Sequence, residues 1–447
     1  MDITALTFDE RDEFKRKSIA EKVILLLQAD IDISPMVIDG SWGTGKTEFC
    51  HKLINLMHGN ESHHLIYIDA FKADHADEPL MTVLAEVIKV LPDNDSKQSF
   101  MNKALPAVRY GFKVSAKAVV SHVLKQDFVD VADDFDKAIQ KTADKAIDAT
   151  VESVLKDHIK ADKNLKALQT ALAEIAATKP IILFVDELDR CRPNFAVDML
   201  EIIKHTFDVE GVSFLLITNT QQLKASVNHC YGHAVDAQRY LDKFVKFTVA
   251  LPETVDTNGH RESVAAIEHY KNLVRNNPLL KELKLFECPS IRTIETLITV
   301  NSLSLREVET VVRHIEIYVT LTRQGHLASN KIIGYKIMTL LAIAVYCIAP
   351  DVSKSILSRK LDANKFGQLM GITKLSSCQT GRPEETELIC YSINREASIN
   401  KEGYLPPEDE VKVWQESIRG YFQGVLMRDG DHCSSICAKA IQAIRMC

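Results

Sequence analysis

The sequence predicts an α/β fold in which a five-stranded parallel sheet is flanked by helices, with a helical insertion and a C-terminal helical region. Three observations favour this class. A glycine-rich loop follows a short apolar run, a second apolar run ends in two acidic residues, and helical patterns separate the strand patterns. At 447 residues, with 46% hydrophobic and 26% charged residues, the chain is long enough for two or three domains.

The first element is a helical pattern over Phe14–Leu27, placed directly before the first strand pattern. This helix either is purely structural or contacts a base bound at the loop described next, and both interpretations stay open.

The glycine-rich loop carries the strongest functional signal. It reads GSWGTGKT, which fits the phosphate-binding pattern G-x-x-x-x-G-K-[ST], and it follows the apolar run at 36–38. Its glycines allow a tight turn that aims backbone N–H groups at an anion, and the helix opening near Lys46 adds its positive end. Lys46 would contact the β- and γ-phosphates, and the Thr47 hydroxyl would hold Mg²⁺. The loop therefore predicts binding of ATP with Mg²⁺, and the apolar run before it disfavours a merely structural turn. The candidate nucleotide-binding residues are Gly40, Ser41, Trp42, Gly43, Thr44, Gly45, Lys46, Thr47 and Glu48.

The second apolar run supplies the candidate acids. Ile181–Asp186 is too short for most helices and indicates a strand buried on both faces. Asp186 would reach Mg²⁺ through its water shell, and Glu187 would orient and deprotonate the attacking water. Acidic residues often end strands, so the phosphate loop is what gives this pair its meaning.

The predicted strands suggest a particular order in the sheet. In P-loop NTPases of the additional-strand, catalytic-glutamate type, the strand after the acidic one lies between it and the phosphate-loop strand. Here that strand ends at Asn219, which would contact the attacking water or the γ-phosphate, or would only terminate the strand. The candidate strands are Met36–Asp39, Leu65–Asp69, Ile181–Asp186, Ser213–Thr218 and Phe244–Ala250.

Helical patterns account for the rest of the chain. We expect the NTPase core in residues 1–93 and 178–255, a helical insertion in 94–177, a helical lid in 256–325 and a C-terminal helical region in 326–447. In the lid, Arg306 would contact the γ-phosphate, or would be an exposed helix arginine. In the insertion, Arg109, Lys113 and Lys117 form a basic stripe that suits a membrane surface or an acidic partner, and equally a packed amphipathic helix.

Composition narrows the function classes. A net charge of −7 gives no overall attraction to nucleic acid. The N-terminus shows no signal-peptide pattern, and the ten cysteines follow no framework spacing, so we expect free thiols and a cytoplasmic protein. The longest stretch without Asp, Glu, Lys or Arg, residues 337–350, is too short for a bilayer and predicts a buried helix.

These motifs together resemble the KAP family of P-loop NTPases. The phosphate loop contains a Trp-Gly pair typical of the family, and the acidic strand continues as VDELDRC, similar to the family's D-[DE]-L-D-R-C extension. Further similarities are YLDKF at 240–244 and Leu305-Arg306-Glu307, so that the resemblance runs from about Asp9 to Ile348. It implies an ATPase with helical insertions that often bear transmembrane helices. This chain has no such span there, which leaves only peripheral membrane contact.

The chain departs from the family at two positions. Glu187 stands where many relatives carry Asp, and Asn219 where an acid is common. Glutamate is a competent base, so hydrolysis is still expected. The resemblance also implies a bacterial role in phage exclusion or antiviral defence, often beside an effector protein.

The sequence is compatible with three functions. The first is a regulatory ATPase whose nucleotide cycle switches a partner effector, and the alternative is a nucleic-acid-dependent motor or loader. A small-molecule kinase fits the sequence less well. In a homo-oligomer Arg190, or less readily Arg239, would act as an arginine finger in trans. For Asp189 and Arg190 an ordinary capping or pairing role stays open, as does support of the metal shell by Asp189.

Overall fold

The computed structural model describes residues 6–29, 31–59, 62–76, 78–91, 97, 100–102, 104, 151–256, 262–283, 285, 290–378, 383–424 and 433–446. These residues form two compact units. The first contains the described residues of Met1–Asp12 and Arg16–Pro252, and the second contains those of Glu13–Lys15 and Glu253–Cys447.

The first unit is built on a parallel sheet of five strands. They are β1 (Met36–Asp39), β2 (His64–Asp69), β3 (Ile181–Asp186), β4 (Val212–Thr218) and β5 (Phe247–Ala250). The spatial order is β2-β3-β4-β1-β5, with Asp186 level with Ile217 and Asp39 level with Thr218. The predicted insertion of β4 between the phosphate-loop strand and the acidic strand is confirmed.

Helices cover both faces of this sheet. Alternate strand residues point to opposite faces: Val37, Ile66 and Leu183 pack in one core, and Met36, Ile38 and Phe184 pack in the other. Every residue of β3 is buried, as the continuous apolar run predicts. The helices are α1 (Lys17–Gln28), α2 (Lys46–His58), α3 (Ala70–Ala73), α4 (Pro79–Val90), α5 (Val151–Thr178), α6 (Pro193–Thr206), α7 (Thr220–Tyr231) and α8 (Ala237–Leu241).

Two predicted boundaries in this unit are wrong by three residues. The last strand was expected from Phe244 but begins at Phe247, because the turn of α8 continues through N–H bonds from Phe244 and Val245 to the Leu241 carbonyl. The first helix begins at Lys17 rather than Phe14, because the Asp12 carboxylate accepts from the N–H groups of Arg16 and Lys17 and the helix starts there.

The second unit is mostly helical and has one core. Helix α13 (Ile333–Ile348) lies at its centre and is buried over most of its length, as predicted for residues 337–350. A short antiparallel pair, β6 (Thr254–Asp256) and β7 (Glu262–Val264), was not predicted. The helices are α9 (Ala265–Asn276), α10 (Pro278–Lys281), α11 (Ser290–Val300), α12 (Leu305–Thr322), α13 (Ile333–Ile348), α14 (Pro350–Leu357), α15 (Ala363–Leu369), α16 (Glu385–Asn394), α17 (Val411–Tyr421) and α18 (Cys433–Arg445).

Three further predictions concern the basic stripe, membrane-spanning helices and the cysteines. The predicted basic stripe of Arg109, Lys113 and Lys117 lies outside the described residues. Within the described ranges, no helix combines the length and apolar character that crossing a bilayer requires. The eight cysteines among the described residues are all free thiols, as expected.

Candidate functional site

The glycine-rich loop connects the end of β1 to the start of α2. Gly43 and Gly45 adopt left-handed backbone conformations, with φ of 77° and 81°, which glycine tolerates best. Gly45 is also the N-cap of α2, which begins at Lys46. At Gly40, an added Cβ would lie 2.8 Å from the Thr44 Oγ1. The loop is therefore a narrow turn that ends at a helix N-terminus, where the first backbone N–H groups lack partners within the helix.

Lys46 folds back over this loop. Its Nζ donates to the carbonyl oxygens of Gly40 and Ser41, at 2.6 Å and 3.1 Å. Burial lowers the pKa of the ammonium group, and the carboxylates of Asp189 and Asp186 oppose that effect. Lys46 therefore lies near both Asp186, the last residue of β3, and Asp189, which follows it, although β4 separates β1 from β3 in the sheet.

Asp186 is the most buried acid of the site, with 1% of its surface exposed. Burial raises its pKa to about 6, while the nearby Thr47 hydroxyl and the Glu187 N–H act in the opposite direction. The Glu187 N–H donates to one carboxylate oxygen of Asp186 at 2.8 Å, and the Tyr67 hydroxyl donates to the other at 3.1 Å. The two predicted metal residues, Thr47 and Asp186, therefore lie close together.

These oxygen donors fit Mg²⁺. The ion takes one or two protein oxygens and completes its octahedron with water and phosphate oxygens. Among the described residues, no group of three or more His, Cys, Asp or Glu side chains is placed to hold a metal alone. The hydroxyl and carboxylate pair is thus suited to a cation that arrives with a polyphosphate.

Glu187 stands at the carboxyl end of β3 in an unusual backbone conformation. Its φ of 59° and ψ of 24° lie in the left-handed region, which is uncommon for residues other than glycine. Its Oε1 accepts an ion pair from the Arg190 Nη1 at 2.9 Å. The candidate water-activating acid is therefore held by an arginine of its own chain, the one considered above as a finger for a neighbouring subunit.

Asn219 caps α7 at the end of β4. Its side-chain oxygen accepts from the N–H groups of Gln221 and Gln222, at 3.0 Å and 3.4 Å. Asp39, at the end of β1, accepts from the Thr220 N–H at 2.8 Å. The side-chain oxygen of Asn219 thus has a structural function here, and its contact with water or phosphate stays a prediction.

Trp42 makes a polar contact that the sequence motif did not indicate. Its indole N–H donates to one Asp189 oxygen at 2.7 Å, and the Thr218 hydroxyl donates to the other at 3.1 Å. Asp189 is buried, whereas Trp42 keeps 51% of its surface exposed. One carboxylate therefore joins the phosphate loop to the end of β4.

Sequence reasoning also missed Arg16, a buried arginine with only 4% of its surface exposed. Its guanidinium donates to the Thr44 carbonyl of the phosphate loop at 2.7 Å and to the Pro252 carbonyl at 3.2 Å. An arginine at a helix N-terminus opposes the helix dipole. This unfavourable position of a positive charge is the one sequence signal that Arg16 has a function other than stabilising the helix.

The remaining candidates are not assembled in the same way. Glu48 pairs with Lys52 at 2.7 Å on α2 itself. Arg239 has 86% of its side chain exposed and pairs with Asp236 at 3.3 Å. Arg306 belongs to the second unit, where it is exposed on α12. Their proposed roles toward a nucleotide stay predictions.

Comparison with known sequences identifies a family and a relative of this chain. Residues 16–321 match the family described as the KAP family P-loop domain. The chain is also 22% identical, over 277 residues, to the phage T7 exclusion protein of Escherichia coli (strain K12). That similarity covers 60% of this chain and 37% of the relative, so the chain spans little more than a third of the relative's length.

Proposed function

Because the chain belongs to the KAP family of P-loop NTPases, we propose that it binds ATP with Mg²⁺ and hydrolyses it to switch a partner protein. The observation that carries this proposal is that the Thr47 hydroxyl lies close enough to Asp186 to lower the pKa of its carboxyl. This brings the phosphate loop and the acidic strand together, which supports a metal-bound triphosphate between them.

The roles follow from the geometry of the first unit. The N–H groups at the start of α2 and the Lys46 ammonium would hold the β- and γ-phosphates. Thr47 and Asp186 would hold Mg²⁺, which neutralises charge on the phosphates when it is bound. Glu187 is proposed to orient a water molecule and accept its proton.

The ion pair with Arg190 supports an inactive state of Glu187 in the absence of ATP. A carboxylate bound to a guanidinium is a weaker base than a free one, because the positive charge stabilises its ionised form. A guanidinium also binds phosphate oxygens readily. We therefore propose that Arg190 exchanges Glu187 for a phosphate oxygen when ATP binds, so that this ion pair no longer weakens Glu187 as a base toward water.

A role in defence against phage rests on the family and on the name of the phage exclusion relative. Since the chain spans 37% of that relative, the proposal is limited to a nucleotide-dependent switch that acts with an effector. ATP hydrolysis stimulated by DNA or RNA would instead support the motor or loader function.

Paired variants test the proposal. Lys46→Ala should abolish Mg-ATP binding in calorimetry, whereas Glu187→Gln should bind normally and release phosphate at least about 100-fold more slowly, as expected for loss of a general base. Glu210→Gln, at an exposed position of the same unit, serves as the control. Normal turnover by Glu187→Gln would refute the assigned mechanism. Glu187→Gln should also remain in its ATP-bound form and retain the partner protein, which mass spectrometry can then identify.

A further inference from the structure

The contact between Trp42 and Asp189 joins two loops whose strands are not neighbours in the sheet. The phosphate loop follows β1 and Asp189 follows β3, and β4 lies between those strands. Neighbouring strands lie about 4.8 Å apart, so β1 and β3 are separated by about 10 Å. Only a long side chain on one loop can reach a carboxylate on the other across the end of β4.

Tryptophan meets this requirement with a single donor. Its ring carries one N–H at its far edge and no acceptor, and this N–H is the group that reaches Asp189. The second oxygen of Asp189 binds the Thr218 hydroxyl, at the end of the intervening strand. Thr218 is fully buried and Asp189 is 8% exposed, so both groups are held in place by the surrounding core.

We propose that Asp189 is a positioning residue which, through the Trp42 indole, fixes the phosphate loop against the end of β4. Trp42 then acts on the nucleotide through the loop, and its indole N–H is directed to protein rather than to phosphate. The inference rests on the proposed nucleotide binding, because the loop it positions is the one proposed to hold the phosphates. It also assigns Asp189 a task other than capping its own turn or supporting a metal ion.

Nucleotide affinity tests this inference. Trp42→Phe removes the N–H but keeps an aromatic ring at a half-exposed position, so the fold should be preserved. A hydrogen bond to a charged group corresponds to roughly a tenfold or larger effect, and we expect the Kd for Mg-ATP to rise by about that factor. The change in Kd should exceed any change in kcat at saturating ATP, because the residues proposed to hold Mg²⁺ and activate water are intact.

A double-variant cycle identifies the partner. Asp189→Ala removes both acceptor oxygens and should weaken binding at least as much as Trp42→Phe, and the double variant should be no weaker than Asp189→Ala, since both changes break the same contact. Thr218→Ser keeps the hydroxyl and should bind normally, whereas Thr218→Val should lose affinity. Independent losses that multiply, or unchanged Kd in Trp42→Phe, would overturn the inference.

Iodide quenching reads the same contact without nucleotide. The chain has two tryptophans, and Trp414 is fully buried, so iodide should quench the fluorescence of Trp42 selectively. Release of the indole in Asp189→Ala should increase that quenching by about twofold, while Thr218→Ser should leave it unchanged. Unaltered quenching in Asp189→Ala would contradict the inference. If the natural sequence failed to bind Mg-ATP, the proposed function would fail, yet quenching would still decide whether Asp189 holds the loop.

Discussion

The burial of Asp186 predicts a measurable cost in stability at neutral pH. Its folded-state pKa is about 6, compared with an ordinary value of 3.8. Below about pH 4 the carboxyl is protonated in both the folded and the unfolded chain, so it contributes no difference. Between about pH 4 and 6 the unfolded chain loses this proton while the folded protein keeps it, and stability therefore falls as pH rises.

The size of this effect follows from the difference in proton affinity. A tenfold change in affinity corresponds to about 1.4 kcal/mol, so the ionised carboxyl lowers the free energy of unfolding by up to about 3 kcal/mol above pH 6. Asparagine has nearly the same shape but carries no charge to desolvate. Asp186→Asn should therefore gain up to about 3 kcal/mol over the natural protein between pH 4 and pH 7.

Urea unfolding of nucleotide-free protein, followed by circular dichroism from pH 4 to 8, measures this difference. The two stability curves should converge near pH 4 and diverge until about pH 6. Asp208→Asn, which removes an exposed carboxyl of the same unit, should run parallel to the natural protein. Parallel curves for Asp186→Asn would refute the assignment of a buried, reluctantly ionised acid.

Two further predictions concern residues outside the motifs. Arg16→Met should weaken Mg-ATP binding about tenfold in calorimetry, because the Thr44 carbonyl loses a charged donor. Arg16→Lys should recover part of that loss. Normal binding by Arg16→Met would exclude a role of Arg16 in holding the loop. Gly367→Ala should lower the melting temperature by several degrees and leave Mg-ATP affinity unchanged, since its Cβ would lie 2.1 Å from the Tyr404 hydroxyl. Gly420→Ala, with no atom within 4 Å of the added carbon, is the matched control, and equal melting temperatures for the two variants would contradict the packing argument.

Much of the sheet could be predicted because its signals are local. The apolar runs of β1 and β3 coincide with the strands, and the glycine motif identifies the turn between β1 and α2. The start of β5 was misplaced because Phe244 and Val245 suit a strand and a helical turn equally well. Hydrogen bonds to the Leu241 carbonyl favour the helical turn. Because every residue has a backbone carbonyl, the sequence does not indicate which one accepts these bonds.

The same reason explains what was missed in the site. Arg16 binds backbone carbonyls that lie 28 and 236 residues away along the chain. Every residue carries such a carbonyl, so no pattern of side chains marks the pairing. Trp42 and Asp189 both stood in recognised motifs, yet their contact depends on the order of strands in space, since β4 sets the gap that the indole crosses.

The left-handed backbone at Glu187 bears on how this protein would respond to selection for heat resistance. An L-residue in that conformation costs about 1–2 kcal/mol, and glycine or asparagine relieves part of it. Screens that reward thermal tolerance alone would favour such replacements and eliminate the acid. Glutamate at this position would therefore persist only while its chemistry is under selection.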